Sequence, residues 1–145
     1  MKIVLQRVAR ASVSVGGEEI ATISRGLLVL FGAEQNDDET KVVFLAEKIL
    51  NLRVFSDEKG KMNLSCLDIS GEVLVVSQFT LAGDCSKGRR PGFDNAAPSN
   101  EAKILYQNFI NQISKSGLNV NTGEFGADMQ LELVNDGPVT FTLER

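Results

Sequence analysis

Apolar and polar residues alternate in short runs along most of the chain, and only two stretches shift to a helical repeat. Lys2–Val8, Ala11–Val15 and Glu18–Ile23 carry the alternation of half-buried strands. Gly16-Gly17 between the last two is a strong hairpin signal. Gly26 to Ala33 is a continuous apolar run of strand length, which predicts burial on both faces. Asn36, Asp37 and Asp38 then offer N-caps for a helix whose core stripe is Val42, Leu45, Ala46 and Ile49. Arg53-Val54-Phe55 reads as a short strand, Asp57–Lys61 as a turn, and Glu72–Val76 as a strand ending at Ser77. Gly83, Gly88, Pro91, Gly92 and Pro98 exclude a regular element over 82–98, and a stretch of that kind in a small domain is usually functional or mobile. Ser99 or Asn100 is expected to cap a second helix, with Ala102, Leu105, Tyr106, Phe109 and Ile113 facing the core and Gly117 at its C′ position. Two last strands, Met129–Val134 and Val139–Leu143, flank Gly137-Pro138. The pattern predicts an α/β protein formed as a single compact domain over residues 1–145.

Composition prunes the chemistry. The chain has no histidine and two cysteines, Cys66 and Cys85. That removes Ser-His-Asp and Cys-His mechanisms, and it leaves no ligand spacing that argues for a metal. Two cysteines are expected as reduced thiols, not as a disulfide framework. No run approaches the roughly 18 apolar residues of a membrane span. Met1–Arg7 lacks the pattern of a signal peptide, which gives the expectation of a cytoplasmic protein. The net charge of −4 argues against indiscriminate nucleic-acid binding. It leaves room for a local basic surface, and Lys87, Arg89 and Arg90 supply one within a Gly/Pro-rich loop. Such a loop is either a solvated turn or an anion-facing rim.

Two segments do not fit a purely structural pattern. Ser77-Gln78-Phe79-Thr80-Leu81 continues an apolar strand into polar side chains. Strand alternation would put Ser77 and Phe79 on one side and Gln78 and Thr80 on the other, unless the strand twists or bulges there. Taken alone, the segment is an ordinary strand end with capping hydroxyls. Asn135-Asp136-Gly137-Pro138-Val139-Thr140 places a proline between strand-like runs, where it has no N–H to give to a ladder. Taken alone, it is a turn between antiparallel strands, and since about 5–6% of X-Pro bonds are cis the dipeptide does not decide the isomer.

Together the two segments strongly resemble those of the D-aminoacyl-tRNA deacylase family. Further matches are Gln6-Arg7-Val8, Arg53-Val54-Phe55 with Gly60-Lys61-Met62-Asn63, Lys87 with Arg90-Pro91 and Phe93, and Thr122 through Met129. The resemblance spans the chain from first strand to last. Ser86 and Gly92 depart from the family's loop, which bears on tRNA contacts and not on the central chemistry.

The resemblance implies a mostly antiparallel, barrel-like sheet with two main helices, and a homodimer with active sites at the interface. Ser77, Gln78, Phe79 and Thr80 of one subunit would form the reaction surface. Gly137-Pro138 of the other, with a cis bond, would aim its carbonyl oxygens where an L side chain projects, so that D-aminoacyl-tRNA is hydrolysed and glycyl-tRNA is not rejected. Lys87, Arg89 and Arg90 would contact tRNA phosphates. No cofactor, metal or membrane is expected. An unactivated Thr80 is a poor nucleophile. The favoured mechanism is attack by water assisted by the tRNA ribose hydroxyl, with the oxyanion held by main-chain N–H groups. The alternatives are a small-ester hydrolase using Thr80, or a tRNA-binding module without catalysis.

Overall fold

The computed structural model describes residues Met1–Arg145. Its elements in chain order are β1 (Lys2–Val15), β2 (Glu18–Ile23), β3 (Gly26–Gly32), α1 (Glu39–Asn51), β4 (Phe55–Ser56), β5 (Met62–Leu64), β6 (Glu72–Ser77), a 3-10 turn (Phe79–Ala82), α2 (Ser99–Ser114), β7 (Val120–Thr122) and β8 (Met129–Glu144). The main sheet runs β2-β1-β3-β6-β7, with β8 on the free edge of β1. Pairing of β1 with β2, β3 and β8 is antiparallel, whereas β3-β6 and β6-β7 are parallel. One edge of β1 is long enough to hold β3 along Lys2–Val8 and β2 along Ala11–Val15. β2 thereby curls across to β7, where Asn121 Nδ2 donates to Thr22 O at 2.7 Å. The sheet is nearly closed, as a barrel is.

Two apolar clusters sit on opposite faces of β3 and β6. Ile3, Leu5, Leu27, Val29, Phe31, Val73 and Val75 meet α1 and α2 on one face, with Phe31 and Phe109 rings 4.9 Å apart. Val8, Ala11, Val13, Ile23, Leu28, Leu74 and Val76 fill the concave face, closed by Met129, Leu131 and Leu133. This double burial is what the continuous apolar runs predicted. Gly26 marks the closest approach between β3 and β6: a Cβ there would lie 1.8 Å from Glu72 O.

The structure corrects several boundaries. The first two predicted strands are one strand, and irregularities in its pairing with β8 around Val8 let it pass from the helix-facing core to the concave one. The last two are also one strand, in which the cis peptide Gly137–Pro138 is carried by a bulge. Near Phe55 the strand begins at Phe55 and not at Arg53, because pairing with β5 starts there. Pro98 and not Ser99 or Asn100 occupies the N-cap of α2, without a side-chain cap. Gly117, at φ 78°, turns the chain one residue beyond the C′ position. The Asp38 cap of α1 is as expected, accepting Lys41 N at 3.1 Å.

Candidate functional site

β6 ends at Ser77, opposite Phe31, the last β3 residue in register with it and one short of the end of β3. Gln78 N then donates to Phe31 O at 2.7 Å, and the chain bends into the 3-10 turn, with Leu81 N on Gln78 O and Gly83 N on Thr80 O. Strand alternation therefore stops after Ser77: Ser77 and Phe79 still line one cavity, but Gln78 lines it with them. Gln78 and Thr80 stay together across the turn, with Gln78 Nε2 donating to Thr80 Oγ1 at 2.6 Å. Phe79 and Thr80 open the turn, where helical geometry leaves the first N–H groups without a partner in the turn.

Beside this corner is a cavity of about 540 Å³. Ser77, Gln78 and Phe79 form one wall, Phe31 of β3 and Ala33 just past its end the floor, Ala96, Ala97 and Ala102 a second wall, and Phe125 to Met129 a third. The second wall is tied to the segment that follows β3 by Gln35 N on Asn95 O and Ala97 N on Ala33 O. Phe79 keeps 57% of its surface exposed although its ring packs on Phe93 at 5.0 Å. The only tyrosine, Tyr106, is not part of this surface: its hydroxyl is buried and donates to Val75 O at 2.8 Å, and burial pushes its pKa upward.

Lys87, Arg89 and Arg90 are exposed on a loop that starts just past the turn. Two hydrogen bonds between Asp84 and Gly92 close its neck, and Ser86 N donates to Asp84 Oδ1 at 2.8 Å. That bond holds the Asp84 carboxyl below its ordinary pKa. Phe93 follows Gly92 directly, so the basic loop is joined to the Phe79 corner.

Gly137–Pro138 lies elsewhere. It is exposed on β8 opposite Arg7 of β1, whereas the Ser77 corner lies at the Ile3–Phe31 level of the sheet. Four residues of register separate the two levels, roughly 13 Å along the strands, and three inter-strand steps of about 4.8 Å separate β8 from β6. One chain does not bring the two segments together. Sequence reasoning gave no role to Arg7, which is buried and grips this bulge. Its Nε donates to Asp136 O at 2.9 Å and its Nη1 to Val54 O at 2.6 Å. The signal was present, since an arginine in an apolar strand is seldom buried without partners. The three alanines of the cavity wall carried no such signal. No three Asp, Glu, Cys or His side chains converge on a point that could hold a metal ion.

The family model described as D-Tyr-tRNA(Tyr) deacylase matches residues 4–144. A D-aminoacyl-tRNA deacylase of Geotalea daltonii is 58% identical over 99% of this chain and 96% of its own length. One from Pelobacter propionicus is 57% identical over the whole of both chains. Among solved structures, one described as c-Myc DNA Unwinding Element Binding Protein superposes with a TM-score of 0.94 at 47% identity, covering 100% of this chain and 99% of that one. Another, described as a probable eukaryotic D-amino acid tRNA deacylase, gives 0.83 at 18% identity over 98% and 97% of the two chains, a likeness of fold.

Proposed function

This chain belongs to the D-Tyr-tRNA(Tyr) deacylase family, and from that premise we propose that it hydrolyses the ester of D-aminoacyl-tRNA with a site completed by a second copy of itself. The observation that carries the reading is the separation of the two segments. Ser77, Gln78 and Phe79 line an open cavity, and Gly137–Pro138 is presented outward from β8, away from that cavity. A dimer that seats Gly137 and Pro138 of the partner subunit over the Ser77–Thr80 corner satisfies both.

In that arrangement the aminoacyl ester lies on the corner, and the apolar cavity takes the flat end group of the tRNA. The N–H groups of Phe79 and Thr80 face the developing oxyanion. Thr80 is not the nucleophile: its hydroxyl oxygen already accepts an N–H from Gln78, and no base accompanies it. Water attacks the carbonyl carbon, the adjacent ribose 2′-hydroxyl assists, and the ester breaks to leave the 3′-hydroxyl on the tRNA and a free D-amino acid. The main-chain carbonyls of Gly137 and Pro138 of the partner subunit crowd the direction of an L side chain. A D side chain avoids them, and glycine has nothing to reject. Lys87, Arg89 and Arg90 meet acceptor-stem phosphates.

The test is a deacylation assay on D-, L- and glycyl-charged tRNA. D- and glycyl-tRNA are expected to be cleaved and L-aminoacyl-tRNA spared. Resistance of glycyl-tRNA equal to that of the L ester would remove steric exclusion as the basis of selectivity. Thr80→Ala is expected to stay active, and a substrate without the 2′-hydroxyl to be nearly inert. The nucleic-acid-binding name of the 47%-identical solved relative favours one competing reading, a binding module without catalysis. Tight binding of charged D-tyrosyl-tRNA with no release of amino acid would establish that reading instead.

A further inference from the structure

Between the Gln6–Thr140 and Val8–Asn135 pairs, β1 contributes one residue, Arg7, while β8 contributes four, Asp136 to Val139. The tip of this bulge cannot hold itself in place. Glycine has no side chain, and proline has no N–H to anchor. Its aim is set at the neck, where Arg7 holds Asp136 O on one flank and a single carboxamide closes the other. Asn135 Oδ1 accepts the Val139 N–H at 2.8 Å, and Asn135 Nδ2 donates to Thr140 Oγ1 at 2.9 Å. The Val139 N–H can only donate, which fixes which end of the amide faces it. Gln6 Nε2 donates to the same Thr140 hydroxyl at 3.2 Å, tying the closed neck to β1. Val139 is buried, so the strap ends on a packed residue while Gly137 and Pro138 stay exposed.

We propose that Asn135, acting with Thr140, is the positioning residue that aims the Gly137–Pro138 tip and thereby sets the preference for D over L esters. The proposal rests on the reading of that tip as the chirality gate. An amide is required because the neck needs an acceptor and a donor on one short planar group. Asn135→Ala removes both bonds. Thr140→Val removes the side-chain partner and keeps the Val139 bond. Asn135→Asp keeps the acceptor, and the Thr140 hydroxyl can turn to donate to it.

The experiment measures kcat/KM on D-tyrosyl- and L-tyrosyl-tRNA for wild type and the three variants, each checked for a cooperative melt. Asn135→Ala is expected to lower the D/L ratio about tenfold or more, since a displaced gate misplaces the excluded volume by a fraction of an ångström or more. Thr140→Val should fall between it and wild type, and Asn135→Asp should recover most of the ratio. An Asn135→Ala or Thr140→Val enzyme with the wild-type ratio overturns the proposal, as does an equal loss on both substrates, which is what general loosening would give. A wild type that does not separate D from L overturns the gate itself, a distinct outcome.

Discussion

The two halves of the candidate site are built by different means. The Ser77–Thr80 corner is held by main chain. A central strand runs out, its next N–H bonds the neighbouring strand, and a 3-10 turn follows. The Gly137–Pro138 bulge is held by side chains on an edge strand, with Asn135 and Thr140 at one flank and Arg7 at the other. Backbone geometry survives most substitutions, because every residue but proline supplies the same N–H and C=O. A side-chain clamp does not. The corner should therefore tolerate changes in its own side chains, and the bulge should be sensitive to single substitutions around it.

The sharpest way to break that contrast is Gly137→Ala. Its φ of 133° is foreign to L side chains, and the added Cβ would lie 2.8 Å from both Arg7 Nη2 and Val139 Cγ2. A gate forced aside by such a contact is expected to reduce cleavage of D-aminoacyl-tRNA about a hundredfold. Steady-state rates near those of wild type would show that the bulge is not part of the site. Arg7→Ala comes next. It leaves Asp136 O and the buried Val54 O without their donor, a loss of about 2–3 kcal/mol readable from urea unfolding. Arg7→Lys should recover little, because one ammonium cannot span both carbonyls.

Gly32→Ala probes the corner from beneath. Its Cβ would meet Leu81 Cβ at 2.9 Å and Gln78 O at 3.0 Å, pushing the turn and not the bulge. Activity on D- and glycyl-tRNA should fall together, about tenfold, with the D/L ratio intact. A changed ratio would mean that the corner also selects chirality. The smallest effect concerns the thiols. Burial pushes Cys66 up to about 12, whereas Cys85 is exposed. Native protein at pH 8 should show one reactive thiol and denatured protein two. The folded state holds the Cys66 proton longer than the unfolded chain does. This contribution therefore weakens as pH rises from about 8.5 toward 12, and it is unchanged at lower pH.

Much of this was legible in the order of residues. Period two marked the strands, and the 3.6 repeat marked both helices with their core faces: Val42, Leu45, Ala46 and Ile49, then Leu105, Tyr106, Phe109 and Ile113 are buried, while Ala102 of the same stripe is half-buried against the cavity. The absence of histidine excluded whole mechanisms before any coordinates were needed. Family membership was also readable, because Ser77–Leu81 and Asn135–Thr140 are short local motifs that need no third dimension to be seen.

What only the tertiary structure decided lies between segments far apart in the chain. The end of β6 at Ser77 was readable, but not that the chain turns there, with Gln78 N bonded to Phe31 O and Gln78 brought against Thr80. The cavity wall at Ala96, Ala97 and Ala102 became one surface with Phe125–Met129 only after 94–97 docked on the segment that follows β3. Arg7 acquired its part when the bulge of β8 came to lie against it. Local sequence dictates backbone periodicity through side-chain sterics and burial. Register and closure depend on which distant strand is adjacent, and that sets where each motif points and how far apart the two halves of the candidate site stand.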